Sequence, residues 1–127
     1  MNEKEETKAL EELVPIALDC LGVAVTIIDP KGTLLYYNPH AARIIDRKPE
    51  YIGHDIHSHH KKAVTNEKLD SMIQAFREGR EEPFRYEAKP YGTPIFVTVA
   101  PILKDEKFLG CVQTVILKEE VARKNTQ

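Results

Sequence analysis

The sequence predicts an α+β domain, and three observations carry that reading. An amphipathic stripe marks residues 3–21 as a helix. Strand-like runs fall into two groups, two before a helical middle and three after it. The 127 residues are 42% hydrophobic and 30% charged, as in a water-soluble globular chain. That length suits one domain able to bury a core and still enclose one small pocket.

The elements follow in order. In residues 3–21, Leu10, Leu13, Val14, Ala17 and Leu21 recur at spacings of three and four, with Glu and Lys on the opposite face. Such a helix either packs on its own domain or pairs with a second copy. Residues 22–29 are β-branched and end in Asp29-Pro30-Lys31-Gly32, a turn in which Pro30 presets φ and Gly32 accepts a positive one. Thr33–Tyr37 returns as the second strand. Asn38-Pro39 then opens a short helix, with Asn38 as N-cap and Pro39 at the first helical position.

Residues 46–64 lack a clean period and read as short helical turns and loop. Thr65 is placed as the cap of a helix over 66–78, with Leu69, Met72, Ile73 and Phe76 as its core stripe and Gly79 just past its end. Phe84, Tyr86 and Ala88 alternate with Arg85, Glu87 and Lys89, which gives that strand one wet face. Pro90–Thr93 turns the chain. Residues 94–103 and 107–117 are long apolar strands joined at Lys104–Lys107. The polar tail from Lys118 is expected to fray or to lead into a signalling partner. The division is residues 1–21 as a helix for possible dimerisation, 22–118 as the folded domain and 119–127 as the tail.

Composition narrows the function. The net charge is −2, with both signs interspersed, so there is no basic footprint for nucleic acid. No apolar run is long enough to span a membrane, and the charged N-terminus is unlike a signal peptide; a cytoplasmic location follows as the expectation. Cys20 and Cys111 are read as free, buried thiols, too few for a Cys-based zinc site. No nucleophile elbow, glycine-rich phosphate loop or convergent acid–base pair stands out, so no enzyme activity is expected. Asp29 and Asn38 read as turn and cap residues, and Tyr36, Tyr37 and Tyr86 as strand aromatics.

The run Gly22–Asp29, then Gly32–Asn38, then Ala41-Ala42, with Ile52-Gly53 and the strand around Gly110, resembles the PAS domain family over about residues 20–118. The resemblance implies a five-stranded antiparallel sheet with helices across one face. It also implies a ligand pocket between the two layers and a homodimer through the helix before the first strand.

Gly53–Lys62 holds four of the five histidines: His54, His57, His59 and His60. By the resemblance this stretch borders the pocket, where some haem-binding, gas-responsive relatives carry their proximal histidine. The segment is similar to a subgroup with Gly, a basic residue, Asp, an aliphatic residue and then a Cys-His pair, here His59-His60. On that basis His60 is the first choice for a haem b ligand, with His59 and His57 behind it. Ile44, Ile45, Leu69, Met72, Ile73, Val97, Val99, Val112 and Val115 would supply the apolar slot, and Lys61, Lys62 or Arg43 would neutralise the propionates. A light-sensing flavin or cinnamoyl chromophore would need a cysteine in residues 38–64, which contain none.

Other readings stay open. His54, His57 and His60, with water or Asp55, make a weak zinc set. Mutual repulsion of charged imidazoles would loosen the loop near pH 6, the lower flank of the ordinary histidine range. The cluster can also be solvated surface. The leading expectation is a sensor domain with a small ligand or haem. The alternative is a dimerisation or protein-interaction module holding an apolar or carboxylate metabolite, or nothing. The downstream partner is left open.

Overall fold

A computed structural model describes residues 2–59 and 63–125. The element order is α1 (Glu3–Cys20), β1 (Ala24–Ile28), β2 (Leu34–Tyr37), α2 (Pro39–Ile44), α3 (Ala63–Arg77), β3 (Phe84–Ala88), β4 (Ile95–Lys104), β5 (Lys107–Leu117) and α4 (Lys118–Asn125). Single 3-10 turns lie at Pro49–Tyr51, Ile56–His59 and Pro90–Gly92. The five strands form one antiparallel sheet in the order β2-β1-β5-β4-β3. The expected α+β class and five-stranded sheet are therefore present.

The first and last strands meet at the centre. Ala24 pairs with Val115 and Ile28 with Cys111. Because β1 and β5 run antiparallel, the start of β1 and the end of β5 lie at the same end of the sheet, so α1 arrives beside the point where α4 departs. Gly110 makes the close approach possible. Its φ is +144°, and a Cβ there would stand 2.2 Å from the Ile28 carbonyl oxygen.

Alternation along the strands sorts the two faces. Ala24, Ile28, Ile95, Val97, Val99, Cys111 and Val115 point to one face and are buried with Met72, Ile73 and Phe76 of α3, Leu34, Ala41 and Ile56. Phe76 lies at the centre of this core, its ring 5.4 Å from that of Phe84 and 6.0 Å from that of Phe108.

Three local expectations are revised. α3 begins at Ala63, so Thr65 lies inside the helix and does not cap it. Its end is as read: Gly79 has φ +111°, Gly79 N donates to Phe76 O and Arg80 N to Ala75 O, a Schellman closure. Lys118–Asn125 is helical, and its first residue is anchored: Lys118 N donates to Pro94 O and its ammonium lies 3.1 Å from Glu87 Oε1. Cys20 is exposed, because no residue of α1 is buried; Cys111 is buried as expected. No helix among the described residues is long and apolar enough to cross a membrane.

Candidate functional site

The resemblance implies a ligand between the inner face of the sheet and its helices, and the candidate side chains there and at the adjoining sheet edge divide into three sets.

The first set is packing. Met72, Ile73 and Val97 are buried in the shared core, and Ile44, Ile45 and Leu69 are partly buried against it. Here these side chains hold α3 and α2 on the sheet. Val112 does not belong with them: it alternates with the inward Cys111 and pairs with Ile27, and so lies on the other face.

The second set was missed by sequence reasoning. Thr26 and Gln113 are paired across β1 and β5, both on the inner face among apolar neighbours. Arg47, just after α2, reaches over them. Its Nε donates to Thr26 Oγ1 at 3.1 Å, one Nη to Gln113 Oε1 at 3.3 Å and the other to Asp46 O at 2.9 Å. The polar spot carries a planar fork of N–H donors, the geometry that matches a carboxylate. A signal was present: Gln113 shares a strand face with the buried Cys111 and Val115, where an apolar residue is the rule.

The third set is the histidine segment. The 53–56 stretch is tied to the sheet edge: Gly53 N donates to Leu34 O, Leu34 N to His54 O and Ile56 N to Gly32 O. His57 follows on the 3-10 turn and is half-buried. Its Nδ1 lies 2.5 Å from Asp55 Oδ1 and its Nε2 2.5 Å from Asp70 Oδ1 of α3. Burial, the largest single influence, lowers its pKa, but hydrogen bonds and charge attraction from Asp55 and Asp70 outweigh it and raise the group above its ordinary 6.5.

These contacts decide how far haem fits. An axial histidine needs a free lone pair, and both nitrogens of His57 are engaged by carboxylates. His59 lies on the 3-10 turn, but its side chain, like the whole of His60 with Lys61 and Lys62, is outside the described residues. His54 is exposed. The described residues thus do not form a haem site through His57, and Met72, Ile73 and Val97 act as core. No group of three or more His, Cys, Asp or Glu side chains suited to a metal ion occurs among the described residues.

Asp29 and Asn38 have the turn and cap roles expected of them. Asp29 Oδ1 accepts from Lys31 N and Thr33 N. Asn38 is fully buried. Its Oδ1 accepts from Val25 N and Ala41 N, and its Nδ2 donates to Leu18 O and Val23 O. Tyr36 donates its hydroxyl to Asp19 at 2.5 Å; burial, then the carboxylate, pushes its pKa up to about 12. This pair edges a groove of about 410 Å³, open to solvent, between Asp19, the Leu35–Tyr37 strand, Pro49 and Ile52.

The surface of α1 completes the picture. Leu10, Leu13, Val14, Ile16 and Leu21 are all exposed, Leu10 by 60%. Among the described residues, the side-chain hydrogen bonds of α1 to the rest of the domain lie near its C-terminal end, where Leu18 O meets Asn38 and Asp19 meets Tyr36.

The single sheet in this order, with helices over one face and a leading amphipathic helix, defines an α+β module. The chain belongs to the PAS domain family, whose profile matches residues 16–116. Among solved structures it is similar to a C-terminal domain from Streptococcus mutans at 20% identity, covering 89% of this chain and 88% of that one with a TM-score of 0.71. It is similar to a PAS domain from Colwellia psychrerythraea at 16% identity, covering 87% and 98% with a TM-score of 0.67. The Aer2 receptor of Vibrio cholerae, described as a dual PAS-haem oxygen sensor, matches at 14% identity over 76% of this chain and 94% of that chain, with a TM-score of 0.56. At these identities the likeness is one of fold. No curated protein matches the sequence.

Proposed function

We propose that the chain is a signal-transduction module that works as a homodimer through α1. The observation that carries this reading is the apolar stripe of α1, which the sequence left open between self-packing and pairing. Leu10 and Leu13 are 60% and 59% exposed, and no residue of α1 is buried. A stripe of this kind on a helix anchored near one end is stabilised by a second copy of the same stripe. The outer sheet face adjoins as a second half-exposed apolar surface, through Ile27, Val112, Phe96 and Ile116.

The test is mass in solution, by sedimentation or light scattering, for the parent and for a Leu10→Glu, Leu13→Glu double variant. A dimeric parent and a monomeric variant with an unchanged circular dichroism spectrum support the reading. A parent that stays monomeric at tens of micromolar, the weak end of specific self-association, overturns it.

A second reading concerns the ligand. The Arg47–Thr26–Gln113 spot favours a small carboxylate on the inner face over haem. Arg47 would leave Gln113 and the Asp46 carbonyl to clasp the carboxylate, and the apolar wall would take the rest of the molecule. In a thermal-shift screen, small mono- and dicarboxylates stabilise the parent, and the effect is lost in Arg47→Gln. Hemin serves as the contrast: a sharp, stoichiometric Soret band that disappears in His60→Ala would displace the carboxylate in favour of haem.

A further inference from the structure

The carboxylates on either side of His57 belong to different elements. Asp55 sits on the segment bridged to the sheet edge through its pairing with Thr33, and Asp70 sits on α3. Gly32 of the β1–β2 turn closes the third side: a Cβ there would come within 3.2 Å of the imidazole Cε1. The ring is therefore fixed in position, with each nitrogen facing a carboxylate oxygen.

That geometry selects a protonation state. A neutral imidazole has one N–H and one lone pair; only the imidazolium donates from both nitrogens. With neutral His57, one of the two contacts sets a lone pair against an anionic oxygen. We propose that Asp55, His57 and Asp70 form a pH-dependent latch, closed when His57 is doubly protonated, that pins the 53–59 segment to α3.

Among the described residues, the other titratable or charged groups on the surrounding elements are His54 and His59 on the segment, Glu67, Lys68 and Arg77 on α3, and Asp29 and Lys31 on the turn. Asp29 is turned to the backbone of Lys31 and Thr33, and Arg77 to Pro30 O. Asp55 and Asp70 are the carboxylates in contact with the ring. The direction is opposite to the loosening on protonation expected from a cluster of like-charged imidazoles. His57 meets two anions, so acid closes the link. Because the folded-state pKa is raised, the link is fully present below the ordinary 6.5 and is lost as pH climbs through the higher folded value. The two carboxylates are largely exposed, so the effect is local and adds little to global stability.

The test is an NMR titration of the full chain, following the His57 ring nitrogens and the amides of residues 53–59 and of α3. The expected result is a His57 midpoint above 6.5, both ring nitrogens protonated below it, and amide shifts in the two elements that share that midpoint. Asp70→Asn moves the midpoint down and removes the α3 response. Asp70 is exposed, and the dispersed methyl spectrum reports that the variant is folded. A parent midpoint at or below 6.5 overturns the latch without recourse to any variant, as does a midpoint that Asp70→Asn leaves in place.

Discussion

Asn38 ties together three elements with one side chain. Its four hydrogen bonds reach the end of α1, both sides of the first residue of β1 and the first turn of α2, and it has no exposed surface. Removing it strands buried donors and acceptors, which cost about 1–3 kcal/mol each when left unpaired. Asn38→Ala is expected to lose about 2–4 kcal/mol in urea denaturation. Asn38→Asp should be at least as damaging above the carboxylate pKa, since it turns an acceptor toward the Leu18 and Val23 carbonyls. The cap role of Asn38 was legible from Asn38-Pro39; the bonds to Leu18 and Val23 were not, because they depend on where α1 ends in space. His57 shows the same divide. Its presence in a histidine-rich run was plain, but its partner Asp70 lies 13 residues away on another element, and no local pattern joins them.

At the scale of the element, the strands were the most legible part, because alternation and β-branching act over five or ten residues. The β4–β5 hairpin shows how the local rules combine. Asp105 and Glu106 both have positive φ, 51° and 65°, as a two-residue type I′ turn requires. Glutamate pays a steric cost there that glycine does not. Glu106→Gly is accordingly expected to stabilise the protein by about 0.5–1 kcal/mol, read as a rise in melting temperature. The start of α3 was less legible: residues 46–64 carry no period, and Thr65 has the chemistry of a cap without occupying a helix end. The fate of α1 could not be settled from its stripe, because an amphipathic helix looks the same in sequence whether its apolar face meets its own domain or a second copy.

For the whole molecule, the decisive feature is that β1 and β5, from opposite ends of the chain, lie side by side. The class and the number of strands could be read from their order; this pairing could not, since no local signal specifies it. Gly110 sits on the seam. Gly110→Ala would force a methyl group into the Ile28 carbonyl, so the backbone at the β1–β5 seam must shift. A loss of about 2 kcal/mol or more is expected, combining backbone strain with broken strand pairing, measured by chemical denaturation with unchanged behaviour of α1 peptides as a control. The polar spot over the inner face is another product of the seam. Thr26 comes from one end of the chain and Gln113 from the other, so Arg47 finds both acceptors only after the sheet has closed.

The same seam gives the domain a mechanical character. The helix that enters and the helix that leaves are attached to adjacent central strands at the same end of the sheet, so a push or twist on α1 reaches α4 across a single hydrogen-bonded ladder. Entry and exit thus meet on one ladder at the centre of the sheet, while α2 and α3 lie to the side on its inner face.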